Sequence, residues 1–358
     1  MRTPATIDHV VISSPDRESG SAYVADVLDI DLVPGGAHAA MGTHNLLAGV
    51  GDAYLEVIAI DPDAPAPDRP RWFGLDELAD DAPPRLHAWI ARVDEPMETP
   101  ETGPVLALAR GDLSWRVTVR DDGHLPFDDA GPALIAWDGS APDLPPSGAR
   151  LVSLIALHPD AAALTAFLEE IDLAAPVSVQ EAAAPGLAAA FDTPAGPRIL
   201  TSTGSALDLL AERQAAIDLF HRTWRYLDLA ERTPEHDAAM AGCAEASLWH
   251  WRRVGAPTQW AIGEWQCSRV HAVLGDGTRA LAHAQNCLAI AEADRVDDFV
   301  PASAHEALSR AYAVLGDMDA ARDERNLAYR LAIELDDEDR DVIEHDLGTI
   351  PIPLSPSP

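Results

Sequence analysis

The chain contains no lysine: all 25 of its basic residues are arginine. That excludes every mechanism resting on a side-chain amine, including Schiff-base aldolases, lysine-anchored pyridoxal chemistry and the phosphate-gripping lysine of a P-loop. Basic charge of any kind is scarce, with 59 acidic residues and a formal net charge of -34. Such a surface argues against nucleic acid, whose phosphates require a basic face, and against anionic membranes, while favouring solubility. Only three cysteines occur (Cys243, Cys267, Cys287), with no CxxC or Cys/His spacing. They read as small buried thiols in a reducing compartment. No apolar run approaches the roughly 18 residues of a membrane span, and no secretory leader is legible. The expectation is a cytoplasmic protein with neither membrane nor nucleic-acid partner. A lysine-free, alanine- and arginine-rich chain also suggests a GC-rich bacterial genome, by association alone.

What is present is ample apolar material, 47% of 358 residues, enough for two domains. The stretch 7–76 carries the most chemistry. Ile7-Asp8-His9-Val10-Val11-Ile12 reads as an apolar strand with a histidine set into it, and Tyr54-Leu55-Glu56-Val57-Ile58 as a second with a carboxylate inside. Alternate strand residues share a face, so His9 is expected beside Ile7 and Val11, and Glu56 beside Tyr54 and Ile58. Polar groups in such surroundings are costly unless satisfied. Gly35-Gly36 reads as a tight turn needing positive φ. Arg69 and Arg71 offer bidentate contacts to a substrate carboxylate, or pair with aspartates of their own loop.

The order strand 7–13, helix 17–28, then strands near 31–33, 45–48 and 53–60 resembles the βαβββ module of the vicinal oxygen chelate superfamily, in particular its glyoxalase-like domains. Ile58-Ala59-Ile60-Asp61-Pro62 and Arg69-Pro70-Arg71-Trp72-Phe73-Gly74-Leu75-Asp76 add to the likeness. In that family two modules build a cupped sheet, each giving one ligand from its first strand and one from its last. The second module is expected at strand 150–157, helix 160–171 and strands 176–181, 187–192 and 198–201. Ser153 then falls where His9 falls, and Leu200 or Thr201 where Glu56 falls, and none of these is a good ligand. The strand-like runs 86–93, 113–119 and 133–137 read as an insertion that supplies His87, Trp89 and Trp137 as further lining.

The resemblance implies a divalent metal (Zn, Mn, Fe, Co or Ni) held partly by His9 and Glu56, polarising the oxygens of a small metabolite while a carboxylate moves a proton. Lyase, isomerase or dioxygenase activity would follow. Catalytic zinc usually takes three protein ligands, so His87, His38 or His44 would have to complete the set. Two other readings of His9 and Glu56 stay open: an acid/base pair in a metal-free pocket, and a satisfied buried pair without a role. Asn45, His44, His87, Trp89, Trp137 and Arg71 are the expected substrate-binding residues, with Trp72 as further lining. The alternatives to an enzyme are a metal-free small-molecule sequestering protein and an adaptor that recruits a protein partner through its helices.

From about residue 205 the hydrophobic period becomes helical, over 206–231, 234–254, 257–274, 278–294, 301–315 and 319–335. Ser268-Arg269-Val270-His271-Ala272-Val273-Leu274-Gly275-Asp276 recurs 41 residues later as Ser309-Arg310-Ala311-Tyr312-Ala313-Val314-Leu315-Gly316-Asp317. This resembles tetratricopeptide-like stacked hairpins. His250 and Glu264, with His221, are expected near one turn, as a pocket, as a metal site, or as polar groups among tryptophans. The acidic run 336–339 reads as solvated surface. The fold class expected is therefore α+β, a βαβββ-module cupped sheet over 1–203, followed by an all-α helical-hairpin repeat over 206–346 and a proline-rich tail, 347–358.

Overall fold

In the computed structural model, residues 3–79, 81–203, 207–296 and 299–351 are described. The chain divides into two compact units, Met1–Ala211 and Glu212–Pro358. The expected start of the helical part at 206 and the tail residues 352–358 lie outside the described residues.

The first unit opens with strand β1 (Thr6–Ser13), helix α1 (Arg17–Leu28) and strands β2 (Val33–His38), β3 (Thr43–Val50) and β4 (Ala53–Ile60). Helix α1 starts where the Asp16 carboxylate accepts the Ser19 N–H at 2.7 Å. It buries Gly20, Val24 and Leu28, one residue per turn. A Cβ on Gly20 would sit 2.3 Å from Val57 Cγ1, so only glycine lets the helix lie this close to β4. Within the sheet β1 runs parallel to β4, giving the order β2-β3-β4-β1.

The partner module is not where the sequence pattern placed it. Strands β5 (Arg85–Arg92), β6 (Val105–Arg110), β7 (Leu113–Thr118) and β8 (Ala133–Trp137) continue the same sheet. Its full order is β2-β3-β4-β1-β5-β8-β7-β6, with β5 parallel to β8 as β1 is to β4. The supposed insertion is therefore the second module, without its crossover helix. Pro96, Pro100 and Pro104 occupy the crossover, and proline is barred from a helix interior. The segment expected to be that module, β9 (Arg150–His158), α2 (Ala161–Glu170), β10 (Val177–Glu181), β11 (Gly186–Thr193) and β12 (Gly196–Thr201), forms a separate four-stranded sheet ordered β10-β9-β11-β12. Ser153 is fully buried there and Leu200 lies in the apolar core, so neither occupies a ligand position.

Two cores follow from the two faces of the long sheet. Val10, Ile12, Leu86 and Trp89 meet Val24 and Leu28 of α1, Phe167 of α2, and Leu154 and Phe191 of the second sheet. On the other face Val11, Ile58, Ala88, Ile90 and Ile135 meet Trp72, Phe73 and Leu75 of a short 3-10 helix, Trp72–Glu77. A bulge between Ile7 and His9 in the β1–β5 pairing explains one departure from strict alternation. Ile7 sits in the first core with Val10 and Ile12, on the face opposite His9 and Val11.

The second unit holds helix α3 (Leu209–Leu227) from Glu212 onward, and α4 (Pro234–Val254), α5 (Pro257–Val273), α6 (Gly277–Ala293), α7 (Val300–Leu315), α8 (Met318–Ala332) and α9 (Asp337–Gly348). The repeated Gly-Asp is a stop followed by a start. Gly275 and Gly316 adopt φ of 79° and 84°. The N–H groups of Gly275 and Asp276 return to the carbonyls of Ala272 and His271, and those of Gly316 and Asp317 to Ala313 and Tyr312. The Asp276 and Asp317 carboxylates then cap α6 and α8. Helix α9 is absent from the sequence reading: the acidic run is its cap and first turn, where the helix dipole favours negative charge. Its Ile343 and Leu347, with Ile350, are buried, so the expected boundary at 346/347 falls inside a helix.

Candidate functional site

The polar groups of the inner sheet face converge on one small cavity of about 40 Å³, lined by residues of both modules. His9 is the hinge of the network. Its Nδ1 lies 2.7 Å from Asp8 Oδ1 and its Nε2 lies 3.4 Å from Glu56 Oε2, while Tyr54 stacks on the ring at 4.4 Å. Burial disfavours a charged ring, but the hydrogen bonds to Asp8 and Glu56 outweigh it and raise His9 to about 9. His9 is thus an imidazolium held between two carboxylates. Asp8 in turn receives Arg92 Nε at 2.6 Å and Trp137 Nε1 at 2.9 Å. Against the opposing effect of burial, its hydrogen bonds and these neighbours hold it at about 2. Glu56, buried as well, is kept below the usual carboxylate range by His9, His38 and Asn45.

Asn45 joins the two ends of the cavity. Its Nδ2 donates to Glu56 Oε1 at 2.5 Å. Its Oδ1 accepts from Gly36 N–H at 2.8 Å and from Arg110 Nη1 at 3.1 Å. Arg110 Nη1 also lies 3.0 Å from His38 Nε2. Burial first, then the Arg110 charge, depress His38 to about 4, so it is neutral. Its Nε2 is then the acceptor, which leaves the Nδ1 proton facing Thr43 Oγ1 at 3.0 Å. Strands β2 and β6 are the two edges of the sheet. The Arg110 bonds to His38 and Asn45 therefore tie one edge to the other and close the cup.

Gly35 and Gly36 make this possible, and not by turning the chain. They lie inside β2, outside the positive-φ region. A Cβ on Gly35 would fall 2.0 Å from Asn45 Oδ1, and one on Gly36 2.7 Å from Arg110 Cδ. The expected turn is a pair of gaps for two site side chains.

The structure brings His9, His38, Asn45, Glu56, Trp72 and Trp137 together and places the other expected residues elsewhere. Trp89 faces the opposite core, fully buried, with its Nε1 donating to Ala130 O. His87 is used between Ser13 Oγ at 3.1 Å and Phe73 O at 2.6 Å. His44 faces Asp61 and borders a separate open cleft beside Ser13 and Arg17. Arg71 is bound to Asp76 at 2.5 Å, and Arg69 to the carbonyls of Val119 and Arg120. Asp8, Tyr54, Arg110 and Trp115 escaped the sequence reading. For Asp8 and Arg110 the available signal was charge inside an apolar strand pattern. In the helical unit, His250 pairs with Glu212, whereas Glu264 pairs with Arg252 and His283, and His221 is exposed.

The residues do not fit a divalent metal. Of the expected ligands only His9 and Glu56 meet as a pair at the cavity, fewer than a catalytic metal usually takes, and a guanidinium sits on the free nitrogen of His38. Among the described residues no group of three or more His, Cys, Asp or Glu side chains is arranged to hold an ion.

A profile of glyoxalase-like domains matches residues 7–171, which span both modules of the long sheet. The N-terminal unit carries a glyoxalase-like domain. Solved structures similar to this glyoxalase-like domain include a hypothetical protein from Staphylococcus aureus (10% identity, TM-score 0.36, covering 51% of this chain and 88% of that one). Methylmalonyl-CoA epimerase from Mycobacterium tuberculosis is similar at 15% identity and TM-score 0.25, over 38% and 88% of the two chains. A hypothetical protein from Bacillus halodurans is similar at 11% identity and TM-score 0.27, over 40% and 100%. No curated protein matches the chain.

Proposed function

We propose that the glyoxalase-like domain binds a small oxygen-bearing metabolite in the cup and moves a proton on it without a metal. The observation that carries this reading is the buried Asp8–His9–Glu56 series, which sets a carboxylate base and an imidazolium donor side by side at one cavity wall. Glu56 is ionised and suited to take a proton from carbon next to a carbonyl. His9 and the Asn45 amide are suited to stabilise the oxyanion that develops. The three indoles of Trp72, Trp115 and Trp137 supply the apolar remainder of the wall.

A cavity of about 40 Å³ has room for roughly one or two waters, so a metabolite enters only if the cover moves. Trp72 and Phe73 stack at 5.5 Å over the inner face, and Phe73 holds a φ of 61° that a non-glycine residue adopts at a cost of about 1–3 kcal/mol. That cover also favours a second reading, capture without chemistry. Incubation in D2O with small 2-oxo acids and hydroxyketones, followed by NMR, separates the two. Proton transfer predicts solvent deuterium at the carbon beside the carbonyl, slowed roughly 10²–10⁴-fold in Glu56→Gln and unaffected by chelator. Binding with no exchange supports capture. Exchange that chelator abolishes would overturn the metal-free reading.

A further inference from the structure

Arg110 has no carboxylate partner among the described residues, although the chain carries 59 acidic residues. It is not a stray surface residue: it lines the cavity, and Gly36 leaves the space its side chain fills. The protein groups that hold it, His38 Nε2 and Asn45 Oδ1, are neutral acceptors and both take the same Nη1. Around the cavity, Arg92 and the His9 imidazolium balance Asp8 and Glu56. Arg110 is the charge left over. A guanidinium presents a planar fork matched to a carboxylate, and this half-buried one lines the cavity with only neutral acceptors on its Nη1.

We propose that Arg110 is the anchor for a carboxylate of the ligand, so that the cup is selective for small carboxylic acids, with the atoms next to that carboxylate delivered to Glu56 and His9. This rests on the small-molecule reading of the cup and names its substrate class. The relay Arg110–Asn45–Glu56 gives the geometry: one amide separates the anion site from the base. A carboxylate is planar and suits the small cavity better than a tetrahedral phosphate.

The test is calorimetric titration and thermal-shift measurement of the full chain with acetate, pyruvate and oxalate. Controls are acetamide and pyruvamide, which keep the shape without the charge, and inorganic phosphate. Carboxylates are expected to bind, the amides at least tenfold more weakly. Arg110→Gln should weaken carboxylates roughly ten- to hundredfold, the usual worth of a charge-assisted hydrogen bond, and change the amides less than twofold. If Arg110→Gln does not fold, Arg110→Lys and Gly36→Ala replace it. Lysine keeps the charge without the fork, alanine displaces the guanidinium, and both should weaken carboxylates selectively.

Failure to bind any carboxylate, equal binding of amides, or equal binding of phosphate would overturn the assignment. So would an Arg110→Gln that melts lower with its carboxylate response intact, since the arginine would then be only the clasp of the cup. Arg110-dependent binding without deuterium exchange would leave the anion site standing and remove proton transfer. Exchange on neutral substrates untouched by Arg110→Gln would do the reverse.

Discussion

A histidine flanked by two acids responds to pH differently from an isolated one. His9 is raised to about 9 against an unfolded value of 6.5. Its stabilising contribution is therefore fully present below about 6.5 and is lost as pH rises through about 9. Asp8 is held at about 2 against 3.8, so its contribution is present above 3.8 and disappears as pH falls towards 2. The His9 ring resonance should accordingly titrate near 9, with the melting temperature of the N-terminal unit falling over the same alkaline range. Titration near 6.5 would show that the ring is not clamped by its carboxylates. The β2 glycines give a second residue-scale prediction. Gly35→Ala drives a methyl into Asn45 Oδ1, so it should loosen the Asn45–Glu56 bond, reduce ligand response and destabilise the unit by roughly 1–3 kcal/mol. A melting curve and binding isotherm matching wild type would contradict the close approach.

Among the elements, the helix repeat reuses one joint. Ser268 Oγ donates to Ala280 O and Ser309 Oγ to Ala321 O, both at 2.8 Å, and the same Gly-Asp connects each helix pair. Cross-helix pairing survives with its partners exchanged: His283 meets Glu264 in one copy, and His305 meets Glu324 at the corresponding positions in the next, both at 2.6 Å. Asp317→Ala removes the cap of α8 and should cost about 0.5–2 kcal/mol in denaturant unfolding. Ala313, 7% exposed in a close helix contact, should cost roughly 1–3 kcal/mol when enlarged to leucine. Stability equal to wild type in Ala313→Leu would mean the contact is looser than drawn.

At the level of the whole molecule, stacked hairpins draw stability mainly from their neighbours. A fragment of residues 204–358 is thus expected to be helical and to melt cooperatively by circular dichroism. A molten fragment would mean that this unit needs residues before 204. No helix among the described residues is long and apolar enough to cross a membrane.

Local chemistry was legible directly. The bounds of α1, α4 and β8, the two Gly-Asp joints and the placing of His9 and Glu56 in facing strands all follow from caps, prolines and period, which act within a few residues. The module boundary was not legible, because a βαβββ pattern occurs at β9–β12 while the true second module lost its helix to three prolines. Which strands pair is a non-local choice, and the inner-face burial of Ala88, Ile90 and Ile135 decided it. Asp8 and Arg110 showed only a charge inside an apolar strand pattern, because the partners that make them site residues, Trp137 and Asn45, are distant in sequence. Arg110 lies 65 residues from Asn45 and reaches it only because the sheet curls edge to edge. A charge near the end of an edge strand reads as solvent-facing until the tertiary fold supplies the opposite edge.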